Sequence, residues 1–363
     1  MSDHIPFEIQ IEIMNRFPVK SLMRFRSVSK PWKSLIDSSG FVSDYGLRQT
    51  QPHLFLVYID PHEINMLRYV SIVDDDTFPH NFKEKMCDMS SYIPKSLKLV
   101  GSSQGLLCFL GSYYAFICNP SIRKSIEFIS PDLINVFRDG IVFGFGVCPK
   151  SSEPKLVKIT VSENPLETQT WTVVVFLFKT WCSRSFSFSK IGNLLCKSLN
   201  LSSSNECVDG FIYWCAYNTD DAIWVVISFD VTNEEFGVIH LPDSLARYKY
   251  MDLCKYRESI VLITHDYNIS EYDYDVWMME SGGVTKSFKK LFTINSSYDC
   301  VKMMAISYNG VGILETEDYV LTNFSSISTY EPSSYRFKDT TITGIYGSYS
   351  MSSYMETMLL HDY

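Results

Sequence analysis

From Gln51 onward the chain is written in short apolar stretches set apart by polar turns, as in HLFLVYI, GLLCFLG, YAFICNP, IVFGFGV, WTVVVFLF, GFIYWCAY and AIWVVISFDV. Most run for about four to eight residues, a strand's length rather than a helix's. Aromatic residues make up 15% of the chain and favour pleated sheet. The spacing therefore predicts a large β-rich domain. Val208 to Tyr217 and Ile223 to Val231 are too continuous for half-exposed strands and read as central ones. A strand–turn–strand unit recurs at 115–131, 171–188, 223–242, 274–294 and 319–337. With Ile117, Val175, Ile227, Trp277 and Leu321 as equivalents, the steps are 58, 52, 50 and 44 residues. Propeller blades repeat at about 40–50 residues. A β-sandwich pair or an irregular β-domain is the competing architecture, and the number of blades stays open.

The first fifty residues follow another rhythm. Ile5, Ile9, Ile13 and Phe17 recur every four residues, with Met14 beside them, which makes an apolar stripe on a helix. Pro6 is tolerated in a first turn, and Pro18 ends the helix. A second short helix is expected in KSLMRFRSV, and a third in KPWKSLID with Ser29 as its cap. Three helices this short bury little surface between them. They nevertheless carry large apolar residues enough to leave some for a partner, each worth roughly 1.5–3 kcal/mol when buried.

This segment, IPFEIQIEIMNRFPVKSLMRFRSVSKPWKSLI, resembles the F-box. The family opens on Leu-Pro, here Ile5-Pro6, and continues with Glu-Ile, here Glu8-Ile9 and Glu12-Ile13. Its Arg-Leu-Pro-Val-Lys-Ser-Leu is matched by Arg16 to Leu22, and its closing run by Arg24, Phe25, Arg26, Val28, Ser29, Lys30 and Trp32. Ile5 and Phe17 stand where the family has Leu, and Ser27 where Cys is common. The resemblance implies docking on a Skp-family adaptor, and through it on a cullin scaffold. The contacts it implies are Ile5, Pro6, Ile9, Ile13, Pro18, Val19, Leu22, Val28 and Trp32.

Further on, GSSQGLLCFL, ICNPSIRKSIEF, FGFGVCP with KLVKITV, VDGFIYW and ISFDVTNEEFGVIHLP resemble, in order, the F-box-associated domain of plant F-box proteins. The closing SYMETMLL is similar to that family's end. These motifs are common to the family and to its pollen self-incompatibility branch. The resemblance implies a kelch-like, propeller-type fold that binds target proteins. The expected architecture is thus mostly β with a small all-α N-terminal module: a three-helix F-box in 1–45, connecting and first strands in 46–96, and the F-box-associated β-domain in 97–363, with 50–96 joined to it.

Charge and composition narrow the function classes. The formal net charge is −9. Residues 1–50 hold seven of the 32 Lys/Arg and five of the 41 Asp/Glu, so the head is slightly basic and the bulk acidic. An acidic bulk disfavours a general nucleic-acid surface, which needs clustered cations. The 10 Cys are scattered without a CxxC pair, and several lie in apolar runs as small hydrophobes, which suits a reducing cytoplasmic or nuclear compartment. No export signal or membrane-length apolar run is seen, so no membrane role is expected.

Catalytic and cofactor motifs find no support. Gly101 to Gly105 formally match G-x-S-x-G, but the following GLLCFL is strand-like, so the element reads as a hairpin turn rather than a nucleophile elbow. The 7 His have no metal-ligand spacing, and there is no phosphate loop. No catalytic residue, metal or cofactor is expected. The reading is a ubiquitin-ligase subunit of the SCF type that holds a target protein. The alternatives are an adaptor-binding scaffold or competitor that promotes no degradation, and a propeller enzyme acting on carbohydrate. The target and the residues that bind it are unknown at this level. Loops 60–66, 74–95, 150–155, 162–170 and 265–275 are the candidates.

Overall fold

The computed structural model describes residues 5–48, 52–63, 67–75, 78, 84–86, 97–134, 140–161, 170–268, 271–280, 286–296, 300–317 and 323–360. The N-terminal segment forms four helices, not three: α1 (Phe7–Met14), α2 (Val19–Phe25), α3 (Lys30–Ile36) and α4 (Ser39–Arg48). Pro6 and Pro18 occupy the N-cap positions of α1 and α2, and Ser29 caps α3 by accepting the Trp32 N–H. The fourth helix was hidden because Gly40 and Gly46 lower its intrinsic propensity. Packing supplies what propensity lacks. Phe41, Val42 and Tyr45 are all buried, and the Tyr45 hydroxyl donates to the Phe17 carbonyl over 2.9 Å.

The remainder is a six-bladed β-propeller, each blade a four-stranded antiparallel sheet. Blade 2 runs through Lys98–Ser103, Leu106–Leu110, Tyr114–Asn119 and Lys124–Ile129; blade 3 through Ile141–Val147, Pro154–Val161, Trp171–Leu177 and Cys182–Phe188. Blade 4 comprises Leu199–Val208, Phe211–Asn218, Ile223–Asp230 and Glu235–His240; blade 5, Tyr250–Tyr256, Ser259–Asn268, Glu271–Glu280 and Ser287–Ser296. Blade 6 comprises Cys300–Ile306, Gly312–Glu317, Phe324–Glu331 and Arg336–Ile345. Blade 1 is assembled from both ends of the chain. Ser350–Met355 is its innermost strand and pairs with Pro52–Ile59, followed outward by Leu67–Val73 and Glu84–Met86. This pairing of the two chain ends in one sheet closes the ring of blades, so that no blade face is left at an open end.

Ile117, Val175, Ile227 and Trp277 all fall on the third strand of their blades, so the sequence repeat marks real blade equivalents. Leu321 lies outside the described residues. The core is distributed accordingly. Among the described residues, each junction between neighbouring blades holds its own apolar cluster. At the junction of blades 3 and 4, Trp171 and Trp214 are fully buried. Gly144 is required there, because a methyl group in its place would overlap the Trp214 ring. The indole N–H of Trp214 donates to the Phe143 carbonyl over 3.0 Å. The two glycines of FGFG thus permit the close approach that their position in a strand suggests. Gln104 and Gly105 have φ of 46° and 79°, a hairpin turn of the type that matches strand twist, so Gly101–Gly105 is no nucleophile elbow.

Candidate functional site

The helical module presents one apolar face to its own core and another to solvent. Inward, Met14, Val19, Leu22, Ile36, Phe41, Val42 and Tyr45 form a buried cluster. Outward, Ile5, Phe7, Ile9, Ile13 and Val28 are exposed, Ile9 by 50% and Val28 by 64%. Pro6, Phe17 and Pro18 are exposed beside them. Isolated exposed apolar residues are ordinary, but several exposed together mark a candidate partner surface. Ion pairing at the module's rear is internal: Arg26 Nε meets Asp37 Oδ1 at 2.5 Å and Arg26 Nη2 meets Asp37 Oδ2 at 2.9 Å.

The structure sorts the nine expected contact residues into three groups. Ile5, Pro6, Ile9, Ile13, Pro18 and Val28 are open to a partner. Trp32 is half-buried. Its indole N–H donates to Gln10 Oε1 over 3.0 Å and its ring meets the Phe25 edge, so it braces α1 against α3. Val19 and Leu22 are fully buried and face α4 and the C-terminal segment, so they belong to the module's own core and not to its surface. A three-residue step on α2 puts both on its inner side. Phe7, half-exposed next to Ile9, was missed because it lies off the four-residue stripe.

The C-terminal segment fastens this module to the propeller. Met358 is fully buried within the helical cluster, while Leu360 lies in the cluster between blades 2 and 3. Ile122 and Leu359 pack against the helical side. The backbone N–H of Val19 donates to Glu356 Oε2 over 3.5 Å. Burial and the Glu356 carboxylate together push the Tyr45 phenol well above its ordinary pKa. Asn119 does more than turn the chain. Its side-chain amide donates to the Thr357 and Leu359 carbonyls, each over 2.8 Å, while its own Oδ1 accepts the Ser121 N–H.

Innermost strands line the propeller's central channel, where a polar cavity of about 140 Å³ is bordered by Lys98, Asn205, Glu206, Asp252, Lys302 and Ser352. Lys302 lies 3.9 Å from Asp252, and burial followed by Lys302's charge depresses the Lys98 ammonium. Burial pushes Glu206 up to about 7 against the pull of Lys255. This space is below the roughly 300 Å³ of ligand pockets. Among the described residues no three His, Cys, Asp or Glu side chains gather as a metal site.

Antiparallel strands alternate in direction, so the second strands that lead to 60–66, 162–170 and 265–275 run towards one side of the ring, and the first strand that leads to 150–155 runs towards the other. Of these loops, 64–66, 76–77, 79–83, 87–95, 162–169 and 269–270 lie outside the described residues.

A closed six-bladed propeller with a small four-helix module fastened to it is the architecture of a β-propeller protein with an N-terminal helical domain. The chain matches the F-box domain over residues 2–44 and the F-box associated beta propeller domain over residues 53–363, and it belongs to the latter family. Relatives span nearly the same architecture. The F-box/kelch-repeat protein At3g23880 of Arabidopsis thaliana is 26% identical over 98% of this chain and 95% of its own length. The F-box protein At5g18160 of the same plant is 25% identical over 95% and 84%. No helix among the described residues is long and apolar enough to cross a membrane.

Proposed function

We propose that the chain is the substrate-recognition subunit of an SCF-type ubiquitin ligase in a plant cell, acting in the cytoplasm, the nucleus or both. Residues 1–45 dock on a Skp-family adaptor, which carries the chain to a cullin scaffold; the propeller after them holds a target protein. The observation that carries this reading is the outward face of Ile5, Ile9, Ile13 and Val28 on a segment that matches the F-box. A helix with an apolar solvent face gains its stability by covering it. The chain supplies no catalytic residue. By fixing the target beside the transferring enzyme, it raises the local concentration of the reacting groups.

Co-purification with a Skp-family adaptor tests the reading. Native chain should form a stable complex. Ile9→Asp with Val28→Asp should abolish it while circular dichroism and melting temperature stay native, because both side chains are exposed in the free chain and a carboxylate is costly only once the interface closes over it. Failure of the native chain to bind the adaptor would overturn the reading.

A further inference from the structure

A second concave site lies on the propeller face that carries the helical module. Turns after first and third strands open on this face; Ile122, in such a turn, packs on the module, and Ser307–Val311 and Glu331–Tyr335 are two more. Between blades 5 and 6 these turns enclose a pocket of about 410 Å³, apolar on one side and lined on the other by Asn309, Glu331 and Ser333, a size within the range of ligand sites. Its walls are Phe78, Tyr256, Phe292, Ile306, Val311 and Pro332. The walls are held in place from outside. Asp74 Oδ2 accepts the Tyr308 N–H over 2.7 Å, and the Asn309 amide donates to the Phe78 carbonyl over 2.7 Å.

Arg257 stands next to this pocket, in the turn after Tyr256, with φ of 53°. Its guanidinium lies over the Tyr308 ring at 4.8 Å and the Tyr256 ring at 5.2 Å, and its Nε donates to the Tyr308 carbonyl over 3.1 Å. The adjacent Glu258 pairs with Lys255 instead, and no carboxylate among the described residues is in ion-pair range of Arg257. A cation held over two rings on a solvent-exposed residue has already lost most of the freedom that binding a carboxylate would cost it. Glu331 lines the same pocket and accepts from Ser334 Oγ over 2.9 Å, so an acidic group is favoured on the Arg257 side only.

We propose that this pocket is the target-binding site of the propeller, and that it takes an extended peptide segment in which a bulky apolar residue fills the pocket and a carboxylate one or two residues away meets Arg257. The proposal deepens the ligase reading and rests on it for the word target. A single arginine suits one carboxylate; phosphate recognition uses clusters of them. Synthetic fluorescein-labelled decapeptides on a Gly/Ser background, carrying Phe-Ser-Glu, Phe-Ser-Lys or Ala-Ser-Glu, are titrated into the purified full chain and read by anisotropy. The Phe-Ser-Glu peptide should bind at least tenfold more tightly than the other two. Arg257→Glu should reverse the preference between the Glu and Lys peptides, and Ser333→Trp, at the exposed rim, should remove binding of all three. Absence of binding, absence of any anchor or charge preference, or a preference unchanged in Arg257→Glu overturns the proposal. Adaptor co-purification is measured on the same preparations: its loss would sink the ligase reading, whereas a failed peptide titration with adaptor binding intact sinks only this assignment.

Discussion

The side-chain amide of Asn119 donates to the carbonyl of Leu359 over 2.8 Å, and so ties the C-terminal segment to the turn between the outer strands of blade 2. The next carbonyl but one, Thr357, is held by the same amide. Between them Met358 points into the helical module. The last described residues of the chain thus fix the orientation of the first.

Shortening this clamp should loosen the module without opening the propeller. Met358→Ala is expected to cost about 2–5 kcal/mol of the module's stability, the range for deleting a buried Met side chain. Asn119→Ala leaves the buried Thr357 carbonyl unpaired, at about 1–3 kcal/mol, and also frees the partly buried Leu359 carbonyl. Limited proteolysis should then cut near residues 45–51 first, while the propeller's near-ultraviolet dichroism persists. Coincident loss of both would show that the two parts unfold together.

Leu22→Asp and Ile9→Asp should behave differently although both replace an apolar F-box residue. Leu22 is fully buried within the chain, so its substitution should unfold the helical module before any partner is added. Ile9 is half-exposed, so its substitution should leave the free chain native and affect only complex formation. Melting curves of the two variants without adaptor separate the cases; equal destabilisation would contradict the assignment of the two faces.

Acid should stabilise this protein through Asp74 and Glu206. Burial pushes the Asp74 carboxyl from 3.8 up to about 7, against the Tyr308 N–H and with a further rise from Asp75. Glu206 moves from 4.5 to about 7. The folded state therefore holds protons that the unfolded chain has already released, and stability falls as pH rises from about 4 to about 7. Asp74→Asn should flatten this slope in urea denaturation followed across that window. An unchanged slope would mean that Asp74 ionises normally in the fold.

Blades 3 and 4 are joined by a buried ion pair. Lys155 Nζ lies 2.7 Å from Glu234 Oε1 and donates to the Val231 carbonyl, also over 2.7 Å. Arg184 reaches the other oxygen of Glu234 at 3.4 Å. Arg184 still pairs with Glu234 if Lys155 is lost, but removing Glu234 leaves the Lys155 ammonium buried without a counter-ion, so Glu234→Ala should cost about 3–5 kcal/mol, whereas Lys155→Met with Glu234→Leu should be close to neutral. Chemical denaturation of the single and double variants checks the difference.

The local signals were strong where function depends on local pattern. Strand-length runs, the third-strand repeat at Ile117, Val175, Ile227 and Trp277, the helix stop at Pro18 and the cap at Ser29 are all properties of neighbouring residues. Helix α4 escaped because its glycines mask a stripe that only packing completes. Arg257 and its pocket left no trace in the sequence, since Tyr256 and Phe78 belong to different blades and meet only across the ring.

By itself the sequence determined the class of each segment, the order of the strands and the apolar stripe of α1, because periodicity states which residues share a face. It did not state what covers that face. Only the tertiary structure decided that Val19 and Leu22 turn inward while Ile9 and Val28 stay open, that Ser350–Met355 closes blade 1 against Pro52–Ile59, and that Met358 seats the helices on the propeller. Those include contacts between residues more than three hundred positions apart. Their free energy comes from burial and pairing once the ring has closed, and neither is encoded in any short stretch of the chain.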